Sequence, residues 1–98
     1  MIARHWRGVA KAEYAADYVE HLRAETFPAI RKLPGFVDAS ILRRSTAEGV
    51  EFLIVTHWRS VESIRAFAGE DIEAAVVPQV VQGMMLDYDR VVRHFEVV

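Results

Sequence analysis

The segment from Val50 to Asp71, VEFLIVTHWRSVESIRAFAGED, constrains the fold more than any other part of the chain. Its first half is almost continuously apolar, β-branched or aromatic, which is typical of a strand covered on both faces. Its second half has apolar residues at helical spacing between Ser60, a favourable N-cap, and Gly69, which can end a helix in a left-handed conformation. The segment therefore predicts a central strand that leads directly into a short amphipathic helix.

The residues before this segment predict a strand, a helical region and a second strand. Ile2 to Val9 reads as the first strand, and a helix with an apolar stripe begins near Lys11. Because proline is tolerated only in the first turn of a helix, Thr26 is predicted to cap a second short helix from Pro28 to Leu33. Phe36 to Ser45 then forms the second strand, after a Pro-Gly turn.

The residues after the segment are less clearly patterned. The stretch from Pro78 to Leu86 fits either a short helix or an irregular cover, and Asp87-Tyr88-Asp89 is predicted to be a turn. Arg90 to Val98 alternates in polarity and predicts the last strand.

The resulting order is β-α-β-β-α-β, an α+β arrangement of the ferredoxin-like type in one domain spanning residues 1–98. Right-handed crossovers place the first and third strands in the middle of an antiparallel sheet, with helices on one face. Hydrophobic residues make up 52% of the chain, a high share for a domain of 98 residues. We therefore expect a homodimer that covers the open sheet face. An apolar ligand cavity is the second explanation for the high share of hydrophobic residues.

Composition excludes several classes of protein. The absence of cysteine rules out disulfides, thiolate catalysis and cysteine-based zinc sites. The net charge of −2, without a sustained basic run, gives no reason to expect nucleic-acid binding. No apolar run reaches the roughly 18 residues of a membrane span, and the N-terminus is charged where a signal peptide needs an apolar core. A cytoplasmic protein that does not bind membranes is expected.

Three motifs carry a family resemblance: Phe52-x-Ile54-x-Thr56-x-Trp58-x-Ser60-x-Glu62-x-Ile64-x-Ala66-Phe67, Pro34-Gly35-Phe36, and His94-Phe95-Glu96-Val97. Together they resemble the antibiotic biosynthesis monooxygenase domain family over essentially the whole chain. The resemblance implies a dimeric α+β barrel with a pocket between the helices and the sheet of each subunit.

The resemblance also implies which residues to compare with active relatives. Those relatives oxidise polyphenols without a cofactor, or cleave haem, with an asparagine on the first strand and an aromatic residue, usually tryptophan, on the helix after the central strand. Haem cleavage further uses a histidine about one helical stretch later. This chain has no asparagine, carries Phe67 near the tryptophan position, and has Ala75-Val76-Val77 where the histidine would lie. Neither a cofactor nor a metal is expected.

The histidines supply the candidate base. Histidine exchanges a proton near neutral pH, so His5 or His57 is predicted to deprotonate a phenol before it reacts with oxygen. The alternative is that both are sheet or dimer-interface residues. His21, at the edge of the stripe on the first helix, either reaches the mouth of the pocket or is solvated.

Three further residues are predicted to bind the substrate. Arg4 shares a strand face with Trp6, and its guanidinium can bind an anionic or enolate oxygen. The alternative for Arg4 is a salt bridge to an acidic residue. By the resemblance, Trp6 and Phe67 are chosen as the aromatic side chains that hold a planar ring.

Three functions remain open at this point. The first is a cofactor-independent monooxygenase that acts on a small aromatic or polyketide-like molecule. The second is a non-catalytic dimeric domain, stress-associated or otherwise, that binds a small ligand in the same pocket. The third is an isomerase or cyclase on the same scaffold, which needs an acid-base pair but no oxygen.

Overall fold

One antiparallel sheet organises the chain, which a computed structural model describes from Met1 to Val98. Its strands are β1 (Ile2–Ala10), β2 (Phe36–Ser45), β3 (Val50–Trp58), β4 (Met85–Tyr88) and β5 (Arg93–Glu96). The order is β2-β3-β1-β4, and β5 also pairs with β1. The first and third strands are therefore central, as predicted, and the α+β ferredoxin-like fold is confirmed.

The helices all contribute to a core on one face of the sheet. They are α1 (Ala15–His21) after a 3-10 turn at Ala12–Tyr14, α2 (Phe27–Ile30) after a π-helical turn at Leu22–Thr26, α3 (Val61–Ala68) and α4 (Gln79–Gln82). Tyr18, Ile64 and Val81 from these helices join one buried cluster with Phe52 and Trp58 of β3. The opposite face of the sheet carries no helix.

The strand-to-helix unit from Val50 to Gly69 forms as its sequence predicts. Phe52, Trp58 and Ile64 are completely buried, so the strand and the helix share one apolar interior. Ser60 caps α3 by accepting a hydrogen bond from the Ser63 amide at 3.3 Å. Gly69 ends the helix with φ 83°.

The helical region after β1 differs from its prediction. Thr26 does precede α2, but it has helical backbone angles and makes no side-chain capping hydrogen bond, so α2 continues from the preceding turn, and it ends at Ile30 rather than Leu33. The π-helical turn ends two residues before Pro28, whose ring would clash with the carbonyl four residues earlier in a regular α-helix. The wider turn lets the chain continue as a helix through the proline.

The end of the chain also differs. The predicted turn at Asp87–Asp89 is wrong, because β4 pairs with Gly8–Ala10 at one end of β1 while β5 pairs with Ile2–His5 at the other. Between them the chain leaves the sheet and bonds to residues 71–78, which we call the strap. The Val92 amide donates to Glu73 and the Ala75 amide donates to Arg90, at 2.8 and 2.9 Å. These bonds shorten the predicted last strand.

Gly35 and Gly69 provide a matched test of the backbone. Both have φ near +85°, but a Cβ at Gly35 would lie 2.0 Å from the Ser63 hydroxyl oxygen and 2.5 Å from its Cβ, whereas nothing lies near Gly69. We expect Gly69→Ala to lower the free energy of unfolding by about 1–3 kcal/mol. Gly35→Ala should cost roughly 1–3 kcal/mol more, because the clash is added to the strain. Urea denaturation of both variants measures this, and equal losses would contradict the steric argument.

Candidate functional site

A cavity of about 70 Å³ lies between the helices and the sheet. Its wall is mostly apolar and aromatic, and it is built from β1, β3, the first helical region, α3, α4 and the strap. Its polar side chains are Arg4, Tyr18, His21, Thr26 and Thr56. A wall of this composition suits a planar apolar ligand that carries one or two polar groups.

A wider cleft of about 370 Å³ adjoins the cavity. The two hollows share six lining residues, which are His21, Thr26, Ile30, Phe67, Val76 and Pro78. A ligand whose polar end lies in the cavity therefore has room for a larger body in the cleft.

Arg4 is the main charged group of the cavity. It is only 4% exposed, and burial lowers its pKa to about 10, so the guanidinium is still a cation at neutral pH. It donates hydrogen bonds to the backbone carbonyls of Ile72 and Ala74 in the strap, and no salt bridge involves it. A buried cation without an acidic partner favours the binding of an anion beside it.

His94 of β5 completes the surroundings of Arg4. It lies directly opposite Arg4 across the sheet, with its Nε2 3.0 Å from Nη1 of the guanidinium. Because arginine can only donate, Nε2 of His94 must accept, and the proton of the neutral ring is on Nδ1. Burial and then the charge of Arg4 lower the pKa of His94, and Glu73 opposes them. His94 is therefore a neutral residue that holds Arg4 in place.

Aromatic residues form part of the cavity wall, and Phe67 lies beside the guanidinium. The Arg4 Cζ lies 5.6 Å from the centroid of Phe67, and Phe67 stacks on Trp58 with centroids 5.9 Å apart. The Trp6 indole N–H donates to the Asp89 carbonyl at 2.9 Å, so Trp6 offers the cavity only its ring. Burial raises the pKa of Tyr18, which keeps its hydroxyl protonated as a donor.

The structure places the predicted residues on two different faces of the sheet. Arg4, Trp6 and Phe67 line the cavity together. His5 and His57 lie on the open face, where His5 contacts Phe95 edge to face at 4.9 Å and His57 Nδ1 pairs with Asp38 at 2.6 Å.

Neither His5 nor His57 lines this cavity, and their catalytic role stays a prediction. Successive side chains of a strand point to opposite faces, and Arg4 and Trp6, the neighbours of His5 in β1, already face the helices. The histidine in the cavity wall is His21, half-buried at the C-terminal end of α1.

The sequence profile of the antibiotic biosynthesis monooxygenase family matches residues 1–77, more than half of the chain. The chain belongs to this family. No helix in the structure is long and apolar enough to cross a membrane. No curated protein sequence matches the chain.

Several solved structures are similar over almost the full length. A Bacillus cereus protein assigned to the antibiotic biosynthesis monooxygenases is 19% identical, with a TM-score of 0.68 and coverage of 100% of this chain and 94% of the other. SnoaB, a cofactor-independent oxygenase from Streptomyces nogalater, is 14% identical, with a TM-score of 0.67 and coverage of 98% and 91%. A haem-degrading protein from Mycobacterium tuberculosis is 26% identical, with a TM-score of 0.58 and coverage of 100% and 95%.

The lowered pKa of His94 predicts how stability depends on pH. The unfolded chain takes up a proton near pH 6.5, before the folded protein does, so the free energy of unfolding should fall as the pH drops below about 6.5. His94→Gln keeps an acceptor for Arg4 but does not titrate, and it should make this fall shallower. The pKa of His5 is lowered first by burial and then by His57 and Arg93, so protonation of His5 should also reduce the free energy of unfolding as the pH falls.

Urea denaturation between pH 5 and pH 8 measures both effects. The double variant His5→Gln, His94→Gln should have the flattest profile. A His94→Gln profile parallel to that of the unaltered protein would contradict the assignment of His94 as a neutral acceptor.

Proposed function

We propose that this protein is a cofactor-independent oxygenase that binds a small aromatic or polyketide-like substrate as its enolate or phenolate. The observation that carries the proposal is Arg4, a buried cation without an acidic partner at the wall of an aromatic cavity. A guanidinium held rigidly by its neighbours stabilises the substrate anion, and so lowers the energy needed to form it.

His21 is the base in this proposal. It lines both the cavity and the cleft, so it can accept a proton from a substrate in the cavity and release it towards the wider cleft. The electron-rich anion then reacts with dioxygen. At a CH₂ group next to the enolate system, one oxygen atom becomes a carbonyl oxygen, the two hydrogens leave with the other as water, and the substrate supplies the four electrons.

The substrate is held between aromatic walls. Trp6 and Phe67 lie on the cavity beside Arg4, which allows a planar ring to contact them while its oxygen meets the guanidinium. Haem degradation is not proposed, because residues 75–77 contain no histidine where the resemblance places the haem ligand. An absorbance titration with haem checks this point.

The cavity variants test the enzyme. His21→Gln should lower turnover of an anthrone or quinol by about 10²-fold or more, because the base is lost while the shape of the side chain is largely kept. Arg4→Met should lower turnover by about 10²–10³-fold through loss of the anion site. Oxygen consumption and substrate absorbance measure turnover.

Matched controls come from the open face. His5→Gln and His57→Gln should keep normal turnover, because neither side chain lines the cavity. Normal turnover in His21→Gln would remove the proposed base, and a large loss in His57→Gln would restore the prediction made from the sequence.

The same assay separates the other two functions. Thermal stabilisation by ligands without oxygen uptake would favour a non-catalytic binding domain. Product formation without oxygen would favour an isomerase or cyclase, since such chemistry needs the acid-base pair alone.

We also propose a homodimer that packs the open sheet faces together. This face carries Leu53 and Val55 at its centre and the half-exposed Leu42 and Phe95 around them, and no helix covers it. Burial of such a face in a symmetric pair removes apolar surface from water. A cytoplasmic location remains a prediction.

Light scattering tests the dimer at micromolar concentration. Leu42→Arg should give a monomer, because it places a charge among apolar residues of the shared face. Val80→Arg is the control, since Val80 is similarly exposed, at 57% against 50% for Leu42, but lies on α4 on the helical side. A monomer in the unaltered protein would contradict the proposal.

A further inference from the structure

The hydrogen bonds of Arg4 leave a defined part of its guanidinium free. A guanidinium has five N–H donors. Nη1 uses both of its donors, on the Ile72 carbonyl and on His94 Nε2, and Nη2 uses one, on the Ala74 carbonyl. Two donors remain, one on Nε and one on Nη2, and these two nitrogens form one side of the group.

The free Nε donor adjoins accessible space, and Nη2 is its neighbour on the same side of the guanidinium. No fully buried side-chain nitrogen or oxygen in the protein lacks a hydrogen-bond partner. Because Nε of Arg4 has no partner, it must contact accessible space, and the space that Arg4 lines is the cavity. The strap carbonyls, His94 and the Phe67 ring hold the guanidinium in one orientation.

From this geometry we infer that the ligand of the cavity presents two oxygen atoms of one anion to Arg4, as a carboxylate or the enolate of a 1,3-dicarbonyl compound does. This inference rests on the proposed function and narrows its substrate class. Two neighbouring donors on a fixed guanidinium match two neighbouring acceptor oxygens, whereas a simple phenolate leaves one buried donor without a partner.

The sizes of the two hollows define the rest of the ligand. The cavity of about 70 Å³ accommodates the two-oxygen head, and the cleft of about 370 Å³ accommodates an apolar body. The ligand is therefore a monoanion with a two-oxygen end and an apolar, planar remainder.

Three small probes test the inference at about pH 8.5, where all three are predominantly anions: 4-cyanobenzoate, 2-acetyl-1,3-indandione and 4-cyanophenolate. The first two present two oxygens, and the last presents one charged oxygen on a ring of similar size. Calorimetric titration should show that the unaltered protein binds the two-oxygen probes at least tenfold more tightly. Equal or tighter binding of 4-cyanophenolate, or no binding of any probe, would overturn the inference.

Two lysine variants test whether Arg4 causes the preference for two-oxygen probes. Arg4→Lys keeps the charge but loses the two-donor edge, so the ratio of affinities should fall towards one. Arg59→Lys, at an exposed position outside the cavity, should keep the ratio of the unaltered protein. A ratio preserved in a folded Arg4→Lys variant would overturn the assignment to Arg4.

Oxygen uptake separates this inference from the proposed function. Selective binding of the two-oxygen probes, without oxygen consumption by any enolate, would leave the inference intact and contradict the oxygenase. Rapid oxidation of simple phenols that bind as tightly as the dicarbonyl probe would support the oxygenase and overturn the inference.

Discussion

The guanidinium of Arg4 connects three parts of the chain that are far apart in sequence. It bonds from β1 to two carbonyls of the strap and to His94 of β5. The strap closes one side of the cavity, so the same contacts that orient the charge also position part of the wall around it. Taking this cation out of water is costly, and the carbonyls and the neutral imidazole offset only part of that cost. The site is therefore organised around a charge that protein groups solvate but do not neutralise.

The two faces of the sheet differ in whether their charged side chains have partners of opposite sign. On the open face, Glu51 pairs with Arg7 and Arg44, and His57 Nδ1 lies within hydrogen-bond distance of Asp38, so the charge of Glu51 has partners of opposite sign. On the helical face, Arg4 has none. The paired side chains of the open face lie towards solvent or a neighbouring subunit. Arg4, by contrast, has no protein partner of opposite charge, and a ligand can supply one.

The central strand and α3 could be predicted because their signals are local: a continuous apolar run, a serine cap and a terminal glycine. The face of each histidine was partly predictable too, since strand alternation separates His5 from Trp6 and His57 from Trp58. The importance of His94 was not predictable, because it depends on the register of β5 against Arg4, a long-range pairing that alternation does not specify. The division of the last strand likewise results from contacts between distant residues.

The π-helical turn at Leu22–Thr26 has a consequence for the shape of the site. A turn of this kind holds one residue more than an α-helical turn, and each residue advances the direction of a helical side chain by about 100°. The extra residue thus sets the angular phase between His21, before the turn, and Phe27, after it, and both side chains reach the same cavity. A deletion of one residue there would rotate one half of the helix relative to the other. The direction of the His21 side chain relative to the cavity therefore depends on the length of this segment as well as on its composition.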